Sequence, residues 1–113
     1  MPNQQIAIDR VFHALSDPTR MAVLTRLSDG AASVSELSEP FDMALPSFTQ
    51  HLGVLEKSGL VRSEKNGRVR TYRLIPDTLQ AAAGWLEQRR ALWESRLDRL
   101  DRYLADLKER PNE

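Results

Sequence analysis

Residues 44–59 read Ala44-Leu-Pro-Ser-Phe-Thr-Gln-His-Leu-Gly-Val-Leu-Glu-Lys-Ser-Gly59, and two patterns are interleaved in them. Phe48, Leu52 and Leu55 recur at i, i+4 and i+7, the apolar stripe of one helix face. The opposite face carries Ser47, Thr49, Gln50, Gly53 and, by spacing, His51, none of them large and apolar. Pro46 is tolerated in a first helical turn, and Gly59 stands where a terminating glycine belongs. The spacing predicts a helix from about Leu45 to Lys57 with one face buried and the other small and polar. Such a face can approach base edges in the major groove, and Gln50, donating and accepting together, suits adenine. An ordinary solvated face has the same composition, so the neighbouring segments decide between the two readings.

Upstream, Ile6, Val11, Phe12 and Leu15 suggest a short amphipathic helix that stops by Ser16, ahead of a proline. Asp17-Pro18 reads as a helix start, with Asp17 as N-cap and Pro18 in the first helical position. Met21, Leu24, Leu27 and Ser28 trace the expected inner face, and Gly30 ends the element. Ser33-Val-Ser-Glu36 has the capping-box pattern, so a brief helix is expected over 34–39, closed by Pro40. Two short helices joined by a tight turn, the second with a polar outer face, form a helix-turn-helix. Downstream, 60–65 and 68–74 are strand-like runs joined by Asn66-Gly67, a hairpin signal because both central turn residues are expected to need positive φ. The hairpin makes the motif winged.

The 113 residues fit one domain, 41% hydrophobic and 28% charged, and the 6% aromatic content is lean for a lone monomer. Sixteen basic residues balance 16 acidic ones, but unevenly along the chain. Residues 1–60 hold four basic and seven acidic groups, and 76–113 hold seven and eight. Residues 61–75 hold Arg62, Lys65, Arg68, Arg70 and Arg73 against Glu64 alone. A basic stretch on a neutral chain suits a partner that meets one small surface, with Lys65, Arg68 and Arg70 offered to phosphates or the minor groove. A charged strand edge that blocks sheet aggregation explains Lys65, but not five cations with one acid.

Zero cysteines exclude a disulfide framework, a thiolate metal site, a cysteine nucleophile and a thiol switch, and two histidines cannot make a His-rich cluster. No nucleophile–base pair, glycine-rich phosphate loop or carboxylate dyad stands in a supporting context, so no enzyme is read here. The N-terminus has no basic, apolar leader pattern and the apolar runs are short, so the expectation is a soluble, cytoplasmic protein with no membrane contact.

Pro76-Asp77 opens a long helix reaching about Leu107, nearly 50 Å at ~1.5 Å per residue. Leu79, Ala83, Leu86, Arg90, Trp93, Leu97, Leu100, Leu104 and Leu107 follow 4-3 spacing, broken by Arg90, and ask for a partner helix. Leu79, Leu86, Trp93, Leu97, Leu100 and Leu104 are the expected homodimer interface, with Arg90 setting register or pairing across the seam. Trp85 and Trp93 read as interface bulk, or as the lining of a pocket for an unknown organic effector. The expected organisation is a DNA-binding region over 1–75, a dimerisation helix over 76–108 and a frayed tail over 109–113. The fold class is mainly α with a small β-hairpin wing.

The segments Phe12-His-Ala-Leu-Ser-Asp-Pro-Thr-Arg20, Val34-Ser-Glu-Leu37, Gln50-His-Leu-Gly-Val-Leu-Glu-Lys-Ser-Gly-Leu-Val61 and Asn66-Gly-Arg-Val-Arg-Thr-Tyr-Arg-Leu74 resemble the ArsR/SmtB family of bacterial repressors over residues 6–75. The resemblance implies a homodimer on a double-stranded operator that leaves it when an effector binds. It places base-reading residues on Pro46, Ser47, Thr49, Gln50 and His51, and wing contacts on Lys65, Arg68 and Arg70. Spacing leaves His51 either on that face or at the core edge and reads His13 as a packing residue; Arg20, just after a helix start, reads as a carboxylate partner, with a DNA-backbone contact as the lesser alternative. Ala44 stands where members often carry a serine cap, Asp42 where a left-handed glycine is frequent, and Gly53 where a basic residue is common. The metal ligands of sensing members have no counterpart here: no histidine follows His51, and Asp98, Asp101, Asp106 and Glu109 alternate with arginines, as surface ion pairs do. No metal and no cofactor are expected. A winged-helix module that holds another protein is the alternative function.

Overall fold

Capping side chains set two of the helix starts, in a computed structural model that describes residues 7–109. Helix α1 (Ile8–Leu15) ends at Ser16, and α2 (Pro18–Leu27) begins where the Asp17 carboxylate accepts the Arg20 backbone N–H at 3.1 Å. Ser33 and Glu36 close the capping box in both directions, at 3.2 and 2.9 Å, and start the short α3 (Val34–Ser38). Helix α4 (Leu45–Lys57) has the expected bounds. The long α5 runs Pro76–Glu109, so Glu109 completes a helix and opens no tail. Ile6 and the tail from Arg110 lie outside the described residues.

Two residues before α3 form a strand that no periodicity could reveal. This β1 (Ala32–Ser33) joins β2 (Val61–Asn66) and β3 (Val69–Leu74) in an antiparallel sheet ordered β1-β3-β2. The hairpin turn also sits one residue later than expected. Asn66 pairs with Val69, so Gly67 and Arg68 are the central pair. Gly67 takes φ +66° and no other residue type takes positive φ among the described residues. One left-handed glycine at the first central position is the type II′ solution, which leaves Asn66 free to finish the strand.

A single cluster built from Val11, Leu27, Leu37, Phe48, Leu55 and Tyr72 ties these elements together. On α2 the inward face is Arg20, Val23, Leu24 and Leu27, not the expected Met21 and Ser28. Met21 is 55% exposed; with Leu15, Leu24 and Leu79 it borders a shallow apolar groove. The first turns of α5 serve the same core: Thr78 and Ala82 are buried and Leu79 packs against the cluster. The chain divides into two compact units, one ending at Ala82 and one beginning at Ala83. In the second unit every described residue is exposed. Among the described residues no helix is long and apolar enough to cross a membrane.

Candidate nucleic-acid interface

Helix α4 is fixed by its buried stripe and by its C-terminus more than by its start. Phe48, Leu52 and Leu55 are completely buried. Ala44 occupies the N-cap and supplies no side-chain hydrogen bond. At the other end Gly59 adopts φ +83°, its N–H reaches the Glu56 carbonyl and the Leu60 N–H reaches the Leu55 carbonyl, both at 3.1 Å. That is the Schellman closure, with buried Leu60 supplying its apolar contact. Thr78 Oγ1 donates to the Gly59 carbonyl at 2.6 Å and holds the corner from the far side.

With the stripe turned inward, Pro46, Ser47, Thr49 and Gln50 are all exposed, as the spacing requires. Thr49 Oγ1 donates to the Pro46 carbonyl at 3.0 Å, a local bond that does not remove the residue from the surface. His51 behaves differently: it is half-buried and its Nδ1 lies 3.0 Å from Arg20 Nη1. Arg20, expected to pair with a carboxylate, instead gives its side-chain donors to the Ala14 and His13 carbonyls and to His51. His13 is exposed and takes part through its carbonyl, not through packing of its ring. Residue spacing carried no signal for this cluster, because it joins positions 31 apart.

The wing presents Lys65, Arg68 and Arg70, all exposed. The register puts Lys65 opposite Arg70 and Arg62 opposite Arg73, two like-charged cross-strand pairs. Like charges directly opposite destabilise a hairpin, and a polyanion held against them relieves that repulsion. Arg70 Nη1 donates to Ser63 Oγ at 2.8 Å, and Ser63 Oγ donates to Glu56 Oε2 at 2.9 Å. That chain connects the wing to the last turn of α4, a link the separate readings of helix and hairpin did not contain.

In the second unit, Leu86, Trp93, Leu97, Leu100 and Leu104 are about half exposed, whereas Leu79 belongs to the first unit's core. Arg90 bonds Glu87 at 2.6 Å and also Glu94, both on its own helix. These bonds hold the Glu87 carboxyl below its ordinary range and raise the Arg90 guanidinium. Among the described residues the ion pairs of α5 are these two, so the expected pairing of Asp98, Asp101, Asp106 and Glu109 does not form. Arg89 lies 4.4 Å from the Trp85 ring centroid and Arg96 5.8 Å from that of Trp93, cation–π contacts along the helix. Among the described residues no group of three His, Cys, Asp or Glu side chains gathers to hold a metal.

A helix-turn-helix domain family matches residues 15–64. The transcriptional repressor SdpR of Bacillus subtilis is 30% identical over 79 residues, spanning 70% of this chain and 88% of its own. The HTH-type transcriptional regulator Rv2034 of Mycobacterium tuberculosis is 40% identical over 73 residues, 65% of this chain and 68% of its own. A solved ArsR family transcriptional regulator is 53% identical with a TM-score of 0.74, covering 77% of this chain and 96% of that one. The chain belongs to the ArsR/SmtB family. It is a DNA-binding helix-turn-helix regulator of transcription.

Within the ArsR/SmtB frame, the departures at Ala44, Asp42 and Gly53 take a definite form. The missing cap at Ala44 leaves the first turn of α4 to the backbone, where Phe48 N–H reaches the Ala44 carbonyl at 3.1 Å. Asp42 keeps a negative φ, so the turn does without the left-handed residue expected there. A side chain at Gly53 meets no heavy atom within 4 Å of its Cβ, so a basic residue has room at this position.

Proposed function

We propose that the chain is a homodimeric repressor, cytoplasmic and without catalytic activity, that occupies a palindromic operator. In this reading α4 enters the major groove and Ser47, Thr49 and Gln50 face base edges, with Pro46 at the leading turn. Lys65, Arg68 and Arg70 hold the phosphate backbone and fix register. Residues 83–108 pair with a second copy along Leu86, Trp93, Leu97, Leu100 and Leu104, and the two recognition helices meet successive major grooves ~34 Å apart. Trp85 and Trp93 belong to that pairing surface in this reading, and the 60% exposure of Trp93 supports it, since aromatic side chains are enriched where protomers meet. With no cysteine in these 113 residues, thiolate sensing has no part in its control.

The observation that carries the reading is the division of α4: a stripe with no exposure at all backs three exposed residues small enough to approach base edges. The test is a titration of the purified protein into labelled duplex from upstream of its own gene, with random competitor, at several salt concentrations. Tight, competitor-resistant binding that weakens with salt is expected. Absence of binding at low salt overturns the reading and moves the search to a protein partner.

A further inference from the structure

Among the described residues Arg20 is the one charged side chain that is buried, and a guanidinium is tolerated there only where its donors are met. Two of them close the end of α1: Nε donates to the Ala14 carbonyl at 2.7 Å and Nη2 to the His13 carbonyl at 3.2 Å. A cation at that position also faces the negative end of the helix. The third contact crosses to α4, where Nη1 sits 3.0 Å from His51 Nδ1. A guanidinium has no acceptor, so Nδ1 is the acceptor and the ring proton is on Nε2. Asp17 Oδ2, 3.7 Å from Nδ1, faces a bare nitrogen and spends its hydrogen bond on the Arg20 backbone N–H. One planar fork thus joins the end of α1 and the first turn of α2 to the middle of α4. The His51 side chain is left 22% exposed.

We infer that Arg20 and His51 are positioning residues, which set the angle at which α4 presents Ser47, Thr49 and Gln50, and that His51 reads no base itself. The inference rests on the DNA-reading role proposed for α4, and it removes His51 from the base-reading set that family resemblance implies. A helix that starts without a side-chain cap depends on such a hold more than a capped one does.

The test uses the full chain and a pool of duplexes with a randomised centre, the bound fraction being sequenced, with melting curves to establish that each variant folds. His51→Leu keeps the bulk and removes the acceptor; it is expected to lose about tenfold in affinity for the selected duplex, the worth of one hydrogen bond to a charged group. The loss is expected at every operator position alike. His51→Asn returns an acceptor oxygen near the place of Nδ1 and is expected to recover most of that loss. Relaxed preference at one base pair makes His51 a reader and overturns the inference, as does equal loss in the two variants. Nitrogen-15 spectra supply a second readout, kept simple because the chain has two histidines. Wild-type His51 is expected as the Nε2–H tautomer, with the Nδ1–H form growing in Arg20→Lys; unchanged spectra overturn the tether. If the wild type enriches no sequence, the DNA-reading proposal fails together with the positioning role, and a tether seen in the spectra then marks a purely structural contact.

Discussion

Helix α4 and the stretch of α5 after Ala82 are both amphipathic, yet they dispose of their apolar faces in opposite ways. Phe48, Leu52 and Leu55 are wholly buried, whereas Leu86, Trp93, Leu97 and Leu100 remain between 50% and 60% exposed. Folding consumes the apolar stripe of α4 and leaves its polar face to meet a partner. It leaves the apolar stripe of α5 unspent, and a contiguous stripe of that size is what association buries. A polar face matches the grooves of a nucleic acid, and a heptad seam matches a copy of itself.

The largest test of this contrast is truncation on each side of it. Phe48→Ala is expected to cost ~3–5 kcal/mol in denaturant melting, because the ring is fully buried and leaves a cavity. Leu97→Ala is expected to cost less, by an amount that depends on protein concentration, because that side chain is covered only when two chains pair. Similar losses at both sites break the comparison. Next in size, Leu100→Glu places a charge in the pairing seam and is expected to weaken dimerisation by about 2 kcal/mol or more, read by sedimentation. An unchanged sedimenting mass contradicts the assigned seam.

Much of this contrast is legible in the sequence, for a physical reason. Stripes at i, i+4 and i+7, capping boxes and heptads are local patterns, so Phe48, Ser33-Glu36 and Leu86–Leu107 announce their elements without knowledge of the rest. What stays hidden depends on tertiary partners. Strand β1 is two residues long and exists because Tyr72 and Thr71 pair with it. Met21 has the right spacing for the core but faces a groove, since Val23 fills the interior instead. The Asn66-Gly67 pair announces a hairpin but not its register, which one positive-φ glycine settles. Arg20 and His51 are 31 positions apart, and no periodicity connects them.

Smaller effects sharpen the polar side of the comparison. Gln50→Ala is expected to relax preference at one base pair by ~1–3 kcal/mol, while Arg68→Ala lowers affinity on every sequence and reduces the salt slope by about one. The reverse pattern in a binding profile contradicts the division between reading and holding. Smallest is the cap of α2: Asp17→Ala is expected to cost about 1 kcal/mol. Burial pushes the Asp17 carboxyl up, but the Arg20 backbone N–H that it accepts and the positive Arg20 side chain outweigh it and set it below its ordinary 3.8. A depressed carboxyl stabilises the fold above the unfolded value, and this contribution fades as pH falls through the folded one. The wild type therefore loses stability below about pH 3.8 in a step that Asp17→Ala lacks, measurable by acid titration of the melting midpoint.

The most direct measurement is the stoichiometry of the complex on a duplex bound from upstream of its own gene, by sedimentation at several salt concentrations, for wild type and Leu100→Glu. Two chains per duplex, tight binding that weakens with salt, and loss of that tight binding in Leu100→Glu are the predicted results. One chain per duplex, or undiminished binding by the variant, contradicts a polar α4 face delivered to DNA by pairing along α5.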